Sequence, residues 1–215
     1  MRSSVRGIRS HRGTQVNETE RAAFHVDFER ALAFATKLHA RQTRKQTDIP
    51  YISHLIGVAG LVLENGGGRD AAIAGLLHDS IEDCGMNYPD GVSALRERIR
   101  QEFGAGVLAI VEGCTDAETM PKPPYRERKE RYIAHVEGAP AEVLLVSCAD
   151  KLHNARAIVA DLRVMGDALF ARFNGGREGT LWYYESLAEV FGRRGPEHLA
   201  AELGRTVATM KELAG

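Results

Sequence analysis

The chain has 215 residues, 44% of them hydrophobic, enough for one sizeable core and too few for two domains of ordinary size. Lys and Arg total 28 against 29 for Asp and Glu, so no overall field draws the chain to nucleic acid or to an anionic membrane surface, and an anionic small molecule must be held by a local cluster. Cys84, Cys114 and Cys148 stand far apart with no CxxC spacing and read as reduced thiols of a cytoplasmic protein, while every apolar run is interrupted well before the roughly 18 to 20 residues of a membrane span.

The opening run MRSSVRGIRSHRGTQ is basic and polar and lacks the apolar core of about 7 to 15 residues that a secretory signal needs. Residues 1–22 are therefore expected as a disordered basic tail and 23–215 as one domain. Apolar side chains at Phe24, Phe28, Ala31, Leu32, Ala35 and Leu38 form one buried stripe, which predicts a helix over 24–40. The polar loop RQTRKQTD ends at Ile49-Pro50, and a second stripe through Leu55, Ile56, Ala59, Val62 and Leu63 predicts a helix from about Ser53 to the Asn65-Gly66-Gly67-Gly68 break.

Asp70 is a plausible N-cap for a third helix, and residues 71–81 are apolar on nearly every side, as a helix at the centre of a bundle would be. A fourth helix is expected over 92–103, with a break at Phe103-Gly104, and a fifth begins at Val107. Residues 115–124, with Pro121, Pro123 and Pro124, must form a loop, able to serve as a pocket wall or lid. A charged stretch, 126–131, leads through Tyr132, Ile133 and Val136 to Gly138-Ala139-Pro140.

Residues 143–152 are almost wholly apolar, and strand competes with buried helix. Helical spacing continues through Ala155, Ile158, Val159 and Leu162, which decides for helix. Asn174-Gly175-Gly176 breaks the chain, and helices near 180–191 and 196–213 complete an all-α, single-domain bundle.

Two of these apolar helices carry ionisable residues at one end: His78, Asp79, Glu82 and Asp83 on one, Asp150, His153 and Asn154 on the other. Unpaired carboxylates are costly to bury, so a cation or strong donors must lie nearby. Offsets of three and four put Asp79, Glu82 and Asp83 on adjoining helix faces and Asp150 beside His153 and Asn154. If the two helices meet, with His54 supplied by the start of the second helix, His54, His78, Asp79 and Asp150 make a mixed nitrogen and oxygen shell. Such a shell suits Mn²⁺, Fe²⁺ or Zn²⁺ and, lacking thiolates, not a purely structural zinc site.

Each feature has a plainer reading. A lone His-Asp pair is common by chance, Arg44 and Lys45 can be a solvated loop, Tyr51 and Tyr184 can be core or rim residues, and 126–131 a wet helix face. His39 and His153 can orient metal ligands or be buried structural histidines.

Taken together, the motifs resemble a known family. His39-Ala40-Arg41-Gln42-Thr43-Arg44-Lys45, Pro50-Tyr51-Ile52-Ser53-His54 and Leu76-Leu77-His78-Asp79-Ser80-Ile81-Glu82-Asp83 look like the HD-type hydrolase domain of the RelA/SpoT proteins. Phe103-Gly104, Val111-Glu112-Gly113-Cys114-Thr115, the run from Ala149 to Asn154 and Thr180-Leu181-Trp182-Tyr183-Tyr184-Glu185-Ser186-Leu187-Ala188 continue the likeness in order, over about 28–192.

The resemblance implies a small, single-domain alarmone hydrolase that removes the 3′ pyrophosphate of guanosine tetraphosphate or pentaphosphate. It implies one Mn²⁺ held by His54, His78, Asp79 and Asp150, with Glu82 and Asp83 as the acidic pair that assists the attacking water. Arg44 and Lys45 match nucleotide contacts and Asn154 an active-site polar residue. Two departures stand out: Leu55 follows the metal-type histidine where the family commonly has proline, and Gln46-Thr47-Asp48-Ile49 replaces a short Gly-containing turn. Residues 121–124 and 161–179 also depart from the usual pattern. The chemistry is also compatible with another nucleotide or phosphorylated cofactor as substrate, or with a module that senses a nucleotide without turnover; the retained Glu82 and Asp83 speak against the last. Oligomeric state is not legible.

Overall fold

A computed structural model describes residues 18–116 and 123–215. Within them the chain forms α1 (Glu18–Leu38), α2 (Ile52–Glu64), α3 (Arg69–Leu77), α4 (Gly91–Phe103), α5 (Ala105–Cys114), α6 (Tyr125–Gly138), α7 (Ala141–Met165), α8 (Gly176–Arg194) and α9 (Glu197–Leu213). No strand occurs among the described residues, and none of their helices is long and apolar enough to cross a membrane. The all-α expectation holds, and the stretch 143–152 is helix, inside α7.

α1 starts at Glu18, ahead of the boundary expected at residue 23, so 18–22 are helical rather than part of a tail. The rest of the expected tail lies outside the described residues. So does most of the expected loop: Thr115, Asp116, Pro123 and Pro124 are non-helical, while 117–122 are not described.

α3 is the inner helix. Each residue from Ala71 to Leu77 is buried, and it packs on α1, α2, α5 and α7. α7 is the second interior helix, with Leu152, Ala155 and Cys148 fully buried, and it contacts α2, α3, α5, α8 and α9. Gly75 makes the close α2–α3 approach possible: a Cβ there would lie 3.0 Å from the Ala59 Cα. A turn at 65–68 joins the two helices, so the start of α2, with His54, comes to the end of α3, with His78.

Two local expectations fail. Asp70 is not an N-cap. Gly68 holds that position without a side-chain cap, and the Asp70 carboxylate, inside the first helical turn, where the helix dipole favours a negative charge, pairs with Arg69 at 2.5 Å. Nor does α3 reach Ile81. It ends at Leu77, and Ser80–Cys84 form a π-helical turn, so Asp79, Glu82 and Asp83 do not lie on one continuous α-helix, although the Asp83 amide still donates to the Asp79 carbonyl at 2.9 Å. Such widened turns are frequent at functional sites because they re-aim side chains.

Candidate metal and nucleotide site

Between α1 and α2 the chain makes a tight hairpin-like loop. The Arg44 amide donates to the Ile49 carbonyl at 2.8 Å, and the Tyr51 amide to the Gln42 carbonyl at 3.0 Å. This loop delivers Tyr51 and then His54, the third residue of α2, to the end of α3.

His54 and His78 are buried, as is Asp150. The His54 Nε2 lies 3.2 Å from the Asp150 Oδ1 and 3.6 Å from the Asp79 Oδ2. The His78 Nε2 lies 3.0 Å from the Asp79 Oδ2 and 3.6 Å from the Asp150 Oδ1. Ligand atoms of His54, His78 and Asp150 all fall within 4.8 Å of one another, a spacing that can hold a metal ion, and Asp79 closes on both imidazoles. The structure therefore brings together all four residues that the sequence singled out for a cation.

Proton placement in the cluster fits a ligand role. The His78 Nδ1 donates to the Gly75 carbonyl at 3.0 Å, so a cation that displaces the remaining ring proton meets the Nε2 lone pair on the side of Asp79 and Asp150. The His54 Nδ1 is 2.9 Å from the His153 Nδ1. Burial and the neighbouring His54 and Arg44 push the pKa of His153 down to about 4, so His153 is neutral; in the tautomer whose Nδ1 accepts from His54, the His54 Nε2 is left as a ligand atom. Both Nε2 atoms are buried with no hydrogen-bond partner. Two unpartnered imidazole nitrogens facing two carboxylates are the donor set a divalent cation would complete.

Burial opposes charge on His78, but the Asp79 and Asp150 carboxylates overcome it and hold the imidazolium well above its ordinary range. Burial likewise opposes charge on the carboxylates. His78 outweighs it at Asp79, and Lys151 at Asp150, so both stay ionised well below the usual range. Lys151 reaches the Asp150 Oδ2 at 2.5 Å, and the Tyr51 hydroxyl donates to the Asp79 Oδ2 at 2.6 Å.

Asn154 joins this cluster to a cavity. Its Nδ2 donates to the Asp150 Oδ1 at 2.5 Å, and its Oδ1 accepts from the Arg44 Nη2 at 2.7 Å. The cavity, about 520 Å³, is walled by Arg44, Lys45, Tyr51, Asn154, Arg172, Phe173 and Tyr184, a size that suits a nucleotide-scale ligand. All three residues expected to contact a nucleotide thus line one space. Glu82 and Asp83 sit apart from the four-residue cluster, on the π turn. The Glu82 Oε2 accepts the Asp116 amide at 3.2 Å, and the Asp83 Oδ2 accepts from the Gln42 Nε2 at 2.7 Å.

Several participants were not singled out from the sequence, or were left open. Tyr51 and Gln42 lie inside the motif runs but carry no signature of their own. Lys151 was legible in principle: a lysine in the middle of a buried apolar helix, beside Asp150, must find a carboxylate. Arg172 and Phe173 come from the atypical stretch 161–179 and form part of the cavity wall.

A profile of the HD domain family matches residues 31–181. The chain belongs to the HD domain family. It is similar to the guanosine-3′,5′-bis(diphosphate) 3′-pyrophosphohydrolase MESH1 of Xenopus tropicalis, 39% identical over 129 residues, which cover 59% of this chain and 66% of that protein. MESH1 of Danio rerio is 36% identical over 126 residues, 57% of this chain and 64% of the relative. The chain thus spans just under two thirds of these relatives' length. Among solved structures, a metazoan ortholog of SpoT that hydrolyses ppGpp shares the fold, with a TM-score of 0.67 at 24% identity over 85% of this chain and 94% of that one. The lmo0812 protein of Listeria monocytogenes matches with a TM-score of 0.62 at 25% identity over 74% of this chain and 99% of its own.

Proposed function

We propose that this chain is a cytoplasmic, Mn²⁺-dependent hydrolase that removes the 3′ pyrophosphate of guanosine tetraphosphate or pentaphosphate. The observation that carries this reading is the pair of buried, unpartnered Nε2 atoms facing Asp79 and Asp150, one Asn154 away from a nucleotide-sized cavity. The names of the MESH1 relatives point to the same chemistry.

His54, His78, Asp79 and Asp150 would hold the cation, which supplies a more acidic water and neutralises charge on the phosphoryl oxygens. Arg44 offers a planar fork to a phosphate or a face to the base, and Lys45 a compact positive charge. Asn154 keeps Arg44 and Asp150 in register. Glu82 and Asp83 orient the attacking water and take its proton as the bond to the ribose 3′ oxygen breaks. Water is consumed, the ribose 3′ oxygen leaves as a hydroxyl, and pyrophosphate is released from the nucleoside 5′-diphosphate (from the tetraphosphate) or 5′-triphosphate (from the pentaphosphate).

The test is release of pyrophosphate from guanosine tetraphosphate by purified protein, with Mn²⁺ and with chelator, beside a panel of other nucleotides and phosphorylated cofactors. Pyrophosphate released only with metal, and fastest from the alarmone, is the expected result. Faster turnover of another nucleotide would replace the substrate, and tight binding without turnover would make the chain a sensor. Glu82→Ala should keep its metal and lose about 10²-fold in turnover.

A further inference from the structure

We infer that Gln42 is a positioning residue for this reaction, holding the Asp83 carboxylate in its working orientation from the same loop that holds Asp79. The inference deepens the hydrolase reading and rests on it.

Asp83 stands at a border. It helps to line a second, outer groove of about 990 Å³, whose wall also includes Lys37, Arg41, Gln42, Cys84 and Tyr88. Lys37 and Arg41 are both exposed, so the carboxylate borders cations and bulk water on that side. Gln42 restrains it through the 2.7 Å bond from its Nε2 to the Asp83 Oδ2.

The Gln42 amide has one workable orientation. Its Oε1 lies 2.6 Å from the His39 Nδ1, and His39 is buried, which lowers its pKa and keeps it neutral. With the His39 Nδ1–H donating to Oε1, the amide NH₂ must face Asp83. A flipped amide would set oxygen against carboxylate and NH₂ against N–H.

His39 in turn stacks on Tyr51, ring centres 5.3 Å apart, and Tyr51 donates to the Asp79 Oδ2. The backbone locks the same pair, since the Gln42 carbonyl accepts the Tyr51 amide. Asp79 and Asp83, four residues apart across a widened turn, are thus gripped by two side chains whose backbones are hydrogen-bonded to each other. A neutral donor suits the task. A lysine at position 42 would pair with Asp83 and weaken it as a base, whereas an amide orients it and leaves its charge intact.

The test is a double-mutant cycle on the full chain with Mn²⁺: wild type, Gln42→Ala, Asp83→Asn and the double variant, each measured for kcat, KM, bound metal and melting temperature. Gln42→Ala is expected to lower kcat about tenfold with KM and metal content unchanged, and to cost nothing further once Asp83→Asn is present. Gln42→Glu, which accepts from His39 and cannot donate to Asp83, should not rescue. An equal loss in both backgrounds, or a loss confined to KM, would overturn the proposal. If the wild type turns over a different nucleotide, the substrate reading falls and the cycle runs on that nucleotide. A readout independent of turnover is the Gln42 side-chain amide resonance, which must move in Asp83→Asn; an unmoved signal would also overturn the proposal.

Discussion

Two buried groups of charges lie on either side of the Asp150-Lys151 pair, and they solve the same problem differently. In one, the Asp116 Oδ2 accepts from Arg128 and, at 2.7 Å, from Lys129, all three side chains being largely buried. In the other, His54, His78, Asp79 and Asp150 converge with both Nε2 atoms lacking a partner. The first group meets its buried carboxylate with the chain's own cations; the second aims two imidazole Nε2 atoms and two carboxylates at one position, a donor set that suits a metal ion. Burial of charge alone therefore does not mark a metal site. Unpartnered imidazole nitrogens facing carboxylates do.

The two lysines sharpen the point. Burial, followed by the nearby Lys151, pushes Lys129 down to about 8. Lys151 faces the same burial, yet Asp150 holds it well above the ordinary range.

The contrast can be broken by mutation. Asp79→Ala should lower turnover by about 10³-fold or more, roughly 4 kcal/mol at the transition state, with only a modest change in melting temperature; activity that survives would dismantle the site. Asp116→Ala should do the reverse. It strands Arg128 and Lys129 and should lower stability by about 3 to 5 kcal/mol in denaturant titrations, whereas a wild-type midpoint would show that the cluster contributes nothing.

Lys129 gives a pH signature. Its folded pKa lies below that of the unfolded chain, so between about pH 8 and pH 10.5 the unfolded state binds more protons and stability should rise with pH, by at most about 3 kcal/mol. Lys129→Met should flatten that rise, and an equally steep rise in the variant would assign it to another group. His153→Ala removes the acceptor for the His54 Nδ1–H and should weaken metal affinity about 10- to 100-fold while the fold persists. Gly57→Ala should act in the same direction, because a Cβ there would lie 2.3 Å from the His153 Nε2; unchanged affinity in both would remove His153 from the account. The smallest effect concerns Gln46, whose φ of +56° is left-handed. Gln46→Gly should stabilise by about 1 kcal/mol or less, and a lower melting temperature would contradict the strain.

That last residue also shows what was legible. The sequence departs from a Gly-containing turn at 46–49, and the structure keeps a tight turn there at the cost of a strained glutamine. Interior helices α3 and α7 were readable because long apolar stretches, 71–77 and 143–149, run straight into clusters of ionisable residues. Their meeting at His54, His78, Asp79 and Asp150 followed from the cost of burying those charges. The π turn at Ser80–Cys84 was not readable, since periodicity assigns one pitch to a whole segment and a single widened turn leaves no pattern. Gln42 carried no signal and Tyr51 read as a core or rim residue because their partners, Asp83 and Asp79, lie 41 and 28 residues away, and only the folded loop shows the pairing.

Mn²⁺ titration followed by electron paramagnetic resonance tests the central claim most directly. One tightly held ion per chain is predicted, with affinity rising from about pH 6 to about pH 8 as the proton on His78 competes less, and with the site lost in His54→Ala. No uptake by the wild-type chain, or full occupancy in that variant, would contradict it.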